Sequence, residues 1–65
     1  MVEVILIGRF YEGMGRSRFA PYEHRVEASV LSMHAAHAYV NEAREGNAYI
    51  LRNTNTGNEY MRRKV

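Results

Sequence analysis

The sequence predicts an α+β fold in which an antiparallel sheet of four strands carries one helix on one face, in the order β-β-α-β-β. Three observations predict it. A β-branched run lies near the start, an unbroken alternation of apolar and polar residues occupies 22–30, and an alanine-rich stretch lies between Ser32 and Gly46. A period of two is typical of a strand with one solvated face, whereas alanine is the strongest helix former.

Residues 2–11 form the first predicted strand because β-branched side chains dominate them. Alternate residues of a strand lie on the same face. The two expected faces are Val2, Val4, Leu6 and Phe10 on one side, and Ile5, Ile7 and Tyr11 on the other. Because the middle is apolar on both faces, we expect a central strand. The breakers Gly13, Gly15 and Pro21 then predict a long loop over residues 12–21.

The second strand, residues 22–30, has a rival. The apolar residues of this segment also fit a helical stripe, so residues 21–45 could form one long helix with Pro21 in its first turn. The alternation and an internal N-cap at Ser32 favour a strand followed by a helix. We expect this helix to begin within two residues of Ser32 and to end at Gly46, a natural C′ residue.

Two further strands complete the predicted sheet. Residues 48–52 and 59–64 are the strands, and residues 53–58 form a turn in which Gly57 can supply a positive φ. The expected core is Val4, Leu6, Val26, Val30, Met33, Val40 and Ile50.

Composition limits the protein to a few classes. With 65 residues we expect one domain over residues 1–65, and without cysteine there is no disulfide or thiolate metal site. No apolar run has membrane-spanning length, and no basic leader precedes the first apolar run, so we expect a cytoplasmic location and no membrane partner. Eight arginines and one lysine oppose seven glutamates, and this net charge of +2 does not by itself imply nucleic acid.

No catalytic constellation is recognisable, so we expect a protein that is not an enzyme. The serines have no nucleophile setting, and the absence of aspartate removes the usual acid of a triad. His24, His34 and His37 are the candidate metal ligands, but the pair at i,i+3 lacks the spacing and the carboxylate base of a metalloprotease helix. We therefore expect no metal and no cofactor.

Arginines interleaved with aromatic residues are the candidate binding residues. The segment Gly13-Met14-Gly15-Arg16-Ser17-Arg18 could contact phosphate, and its aromatic neighbours could stack bases or act as protein-interface hot spots. The full candidate set is Arg16, Arg18, Phe19, Tyr22, Arg25, Arg62, Arg63 and Lys64. Structural alternatives remain open: solvated loop arginines, aromatic cover for a small core, charged protection of an edge strand, or the codon usage of a GC-rich genome.

Residues 24–51 run strand, serine-led alanine-rich helix, glycine, strand. This layout resembles that of the small proteins with which lytic phages inhibit host RNA polymerase. The resemblance implies a phage-encoded regulator, in the host cytoplasm, that binds and inhibits a host protein complex such as RNA polymerase. The alternative is a nucleic-acid-binding module that uses the arginine-aromatic loop and the basic C-terminal strand. A homodimer also remains open.

Overall fold

Four strands and one helix make up the fold in the computed structural model, which describes residues 1–65. The elements are β1 (Val2–Gly13), β2 (Arg16–Val30), α1 (Met33–Asn41), β3 (Asn47–Asn53) and β4 (Glu59–Arg63). The strands form one antiparallel sheet in the order β2-β1-β3-β4. The protein is therefore a small α+β domain with the predicted element order, and β1 is a central strand.

The predicted loop over residues 12–21 is wrong. β1 continues to Gly13 and β2 begins at Arg16, so a tight turn at Met14 and Gly15 joins them. Both turn residues have a positive φ, 51° and 74°, which matches the twist of a two-residue hairpin. Pro21 fits inside β2 because an edge strand tolerates a missing N–H group.

The start of the helix is confirmed, but its predicted end at Gly46 is wrong. The Ser32 side chain accepts a hydrogen bond from the Ala35 N–H at 3.1 Å, whereas the last helical residue is Asn41. Gly46 instead joins the sheet, because its carbonyl accepts from the Phe10 N–H at 2.8 Å and its N–H donates to the Lys64 carbonyl at 2.9 Å. The single long helix over residues 21–45 is also wrong.

The main core lies between α1 and the sheet. Its buried members are Val2, Val4, Ala36, Val40, Tyr49 and Leu51, and the predicted core residues Leu6, Val30 and Met33 pack at its margin. A second cluster occupies the opposite face of the sheet, which carries no helix and is called the open face below. It contains Ile5, Ile7 and Ala48, with Phe10 and Ile50 packed against them.

Two register shifts in the pairing of β1 explain why Phe10 and Val26 do not lie where the sequence predicts them. The register of β1 shifts between Leu6 and Gly8 against both neighbouring strands, so Phe10 lies on the open face rather than with Leu6. A second shift pairs Ile5 with Val26. Val26, a predicted core residue, is 45% exposed and lies outside the core. Ile50 is on the open face for another reason: no register shift separates it from Leu51, so ordinary alternation places Leu51 in the main core and Ile50 opposite Ile5 on the other face.

Candidate partner-binding ribbon

The far end of the first hairpin extends beyond the rest of the sheet. The last pairing between β1 and β3 joins Arg9 to Asn47, whereas β1 pairs with β2 as far as Gly13 and Arg16. Residues 9–22 are called the ribbon below, and every residue from 11 to 19 is exposed. The overall dimensions of 41 × 21 × 16 Å reflect this elongated shape. The ribbon therefore offers two faces and its tip to a partner.

One face of the ribbon combines arginines with tyrosines. The guanidinium of Arg9 lies 4.8 Å from the ring centroid of Tyr11, within cation-π distance. The hydroxyl oxygens of Tyr11 and Tyr22 are 3.4 Å apart, and Arg18 lies directly opposite Tyr11 in the sheet register. We call Arg9, Tyr11, Arg18, Tyr22 and the adjacent Arg44 the arginine-tyrosine face.

The chain after the helix holds this face in place. The Arg9 Nε donates to the carbonyl of Glu45 at 3.3 Å, so the connection between α1 and β3 lies against the ribbon. The hydrogen bond with Tyr22 lowers the pKa of Tyr11, and the positive charges of Arg9 and Arg44 act in the same direction. The same bond raises the pKa of Tyr22. The tyrosine pair thus lies in a positive electrostatic field.

The opposite face of the ribbon is apolar and continues the open face of the sheet. The rings of Phe10 and Phe19 have centroids 4.9 Å apart and are tilted by 48°. The guanidinium of Arg63 lies 4.2 Å from the Phe10 ring centroid, and it is 4.0 Å from the carboxylate of Glu12. Phe19 remains 43% exposed, so this face also leaves an aromatic surface open to a partner.

The structure brings together only part of the predicted binding set. Arg16, Arg18, Phe19 and Tyr22 all lie on the ribbon, although Phe19, which contacts Phe10, and Tyr22, which contacts Tyr11, occupy opposite faces. Arg25 lies outside the ribbon on β2, where its side chain is 74% exposed and 3.5 Å from the carboxylate of Glu27.

The predicted basic tail does not act as one surface. Arg63 reaches the ribbon, whereas Arg62 lies on the helix side of β4, with one guanidinium nitrogen 2.6 Å from His37 Nδ1 and the other bonded to Asn41. The Lys64 backbone extends the pairing of β4 through a hydrogen bond from its N–H to the Asn47 carbonyl at 2.8 Å. Arg62 and the Lys64 backbone thus hold the sheet and helix together.

Sequence reasoning missed Arg9, Phe10 and Arg44 as members of the ribbon surfaces. The alternation of Arg9 and Tyr11 on a predicted strand was an available signal, because i and i+2 residues share a face. Nothing in the sequence marks Arg44, which the connection between α1 and β3 brings near the ribbon.

The remaining polar clusters are internal supports. The carboxylate of Glu27 accepts from the hydroxyls of Tyr39 and Tyr49, each at 3.3 Å, and this joins β2 to α1 and β3. His37 contacts Arg62, and nowhere do three histidine or carboxylate side chains approach closely enough to hold a metal ion. The only helix, α1, is too short to cross a bilayer.

Comparison of the chain with protein-family models, curated proteins and solved structures finds no match.

Proposed function

We propose that the protein is a non-enzymatic binding protein that docks its ribbon onto a protein partner. The observation that carries this proposal is the exposure of aromatic side chains on both faces of a two-stranded extension: Tyr11 at 44%, Tyr22 at 39% and Phe19 at 43%. Tyrosine and arginine are enriched among interface hot spots, and these two residue types dominate one face of the ribbon.

The residues that form the core are different from the residues of the ribbon. The buried side chains lie in the two core clusters, and none of them belongs to the ribbon. A partner that covered the ribbon would desolvate aromatic rings that the protein's own core leaves in water. Stable interfaces gain much of their affinity from a few such well-covered residues.

The resemblance to phage inhibitors makes a bacterial RNA polymerase the first partner to test, and phage-encoded inhibition in the host cytoplasm belongs to the same proposal. The extended ribbon supports it because a narrow element can enter a groove on a large assembly without any movement of the small domain behind it. Such a role needs no active site.

Binding of nucleic acid is the second candidate, and two observations favour it. A two-stranded β-ribbon fits the major groove of B-form DNA, which is about 12 Å wide. The ribbon arginines Arg9, Arg16 and Arg18, and Arg44 beside them, have no carboxylate within 4.0 Å. Free guanidinium groups are the usual contacts to phosphate.

Replacement of Arg16 and Arg18 separates these possibilities. Affinity is measured for purified bacterial RNA polymerase and, separately, for single-stranded and duplex oligonucleotides. The double alanine variant should keep its melting temperature, because both side chains are exposed at the ribbon tip. It should weaken binding to the protein partner by about 2 kcal/mol or more per desolvated arginine. Arg25→Ala, an exposed arginine outside the ribbon, is the matched control and should have little effect.

Conservative replacement and salt identify the partner class. For a protein partner, the double lysine variant should also lose affinity because lysine lacks the planar fork of arginine. For nucleic acid, the lysine variant should be nearly neutral, and affinity should fall about tenfold or more between about 50 and 200 mM salt. A double alanine variant that binds polymerase and oligonucleotides as the wild type does would reject the ribbon as the binding element.

A further inference from the structure

The arginine-tyrosine face has an unbalanced charge. Every ion pair within 4.0 Å involves Arg25, Arg52 or Arg63. Arg9, Arg18 and Arg44 form none of these pairs. Two glutamates, Glu12 and Glu45, line the groove beside Arg9 and Tyr11, but neither lies within ion-pair distance of these arginines. Like charges on one surface repel one another, so a bound anion would stabilise this face.

Arg9 is held in position for such an anion. Its Nε donates to the Glu45 carbonyl, and its guanidinium lies over Tyr11. Gly46 makes this placement possible: its φ is 92°, and a Cβ there would lie 2.5 Å from the Phe10 carbonyl and 3.4 Å from Arg9 Cγ. The ordering cost of the arginine is thus met before a ligand arrives.

The tyrosine pair supplies a further donor. One hydroxyl donates to the other across the 3.4 Å between Tyr11 and Tyr22, so one O–H group remains free. Arg18 pairs with Tyr11 across the hairpin, and Arg44 precedes Glu45, whose carbonyl accepts from Arg9. The candidate donors therefore come from three segments of the chain rather than from one strand.

We infer that the arginine-tyrosine face is a binding site for a phosphate-type oxyanion, with Arg9 as a forked donor and Arg44, Arg18 and a tyrosine hydroxyl around it. Guanidinium groups bind tetrahedral oxyanions through paired charge-assisted hydrogen bonds, and a phosphoryl group has enough oxygens to accept from several donors. This inference goes beyond the proposed function, because the ligand is a small anion and the test needs no macromolecular partner.

The test is a titration of the protein with inorganic phosphate, followed by two-dimensional NMR at constant ionic strength. Saturable shifts should appear at Arg9, Tyr11, Tyr22 and Arg44, whereas chloride at the same ionic strength should not produce them. Arg44→Ala should weaken phosphate binding about tenfold or more through the loss of a charge-assisted contact. Arg52→Ala, whose arginine pairs with Glu3 at the other end of β1, is the control and should leave the affinity unchanged.

Further variants and ligands complete the test. Arg9→Ala should abolish saturation, and Arg9→Lys should restore it only partly because a lysine cannot fork; an unchanged melting temperature identifies loss of the site rather than of the fold. A phosphoserine peptide distinguishes a protein-borne phosphoryl group from free phosphate, because tighter binding of the peptide assigns the site to a phosphorylated partner. Equal, non-saturating responses to phosphate and chloride, or an Arg44→Ala variant with wild-type affinity, would overturn the inference.

Discussion

Replacement of Val40 by alanine tests the packing of the helix on the sheet. Val40 is completely buried in the cluster that joins α1 to the sheet. Loss of its buried methyl groups removes about 1.6 kcal/mol at about 0.8 kcal/mol per group, and the residual cavity adds to this loss. The better helix propensity of alanine returns up to about 0.7 kcal/mol. The expected net loss is therefore about 1–2 kcal/mol.

The assay is urea unfolding followed by circular dichroism, with a thermal melt beside it. For a domain of this size, each kcal/mol shifts the melting temperature by about 4–8 °C. His34→Ala, on the exposed side of the same helix, is the matched control and should change stability by no more than about 0.5 kcal/mol. A Val40→Ala variant as stable as the His34→Ala variant would refute the assignment of the core.

Three further perturbations address the turns and the tyrosine cluster. Met14→Asn should stabilise the hairpin by up to about 1 kcal/mol, because asparagine tolerates the positive φ of 51° better than methionine does; an unchanged urea midpoint would count against this turn geometry. Gly46→Ala should destabilise the fold by about 1–3 kcal/mol through its φ of 92° and its clash with the sheet, and wild-type stability would contradict that contact. Burial and the charge of Glu27 raise the pKa of Tyr39 and of Tyr49, so the fold favours their neutral forms. Their contribution to the free energy of unfolding should be fully present below the ordinary pKa of about 10 and should be lost as the pH rises through the raised pKa values. Replacement of both tyrosines by phenylalanine should reduce this loss when the free energy of unfolding is measured against pH.

Local signals were sufficient to predict the order of the elements. The unbroken alternation over residues 22–30 favoured a strand over the rival helix, because a period of two is typical of a strand. Ser32 marked the start of α1 because its side chain can satisfy a free N–H group in the first turn. Both signals depend only on neighbours within a few residues.

The errors arose where distant pairing decides the structure. The glycines before β2 indicated a loop, yet Gly15 serves a tight turn that only the pairing of β1 with β2 requires. Gly46 fits a helix end, but its hydrogen bonds with Phe10 and Lys64 place it in the sheet. The bulge at Ile7, which moves Phe10 to the open face, likewise depends on two partner strands at once.

The same limit applies to the candidate site. Composition and spacing were enough to predict arginines and aromatic residues near the first hairpin, and four of the predicted residues do lie on the ribbon. The sequence did not show that Arg62 would contact His37 and Asn41 rather than face solvent. Strand register and the path of the chain after α1 determine which arginines remain free.

Hydrogen–deuterium exchange of the protein, free and bound to RNA polymerase or another partner found by affinity measurements, tests the central claim most directly. In the free protein the ribbon should exchange early, because beyond Arg9 it is a two-stranded element without a core. On binding, protection should appear first and most strongly at residues 9–22, while the amides of α1 change little. Protection confined to β4 or to the open face around Ile5 and Ile50, with the ribbon still exchanging freely, would contradict the account.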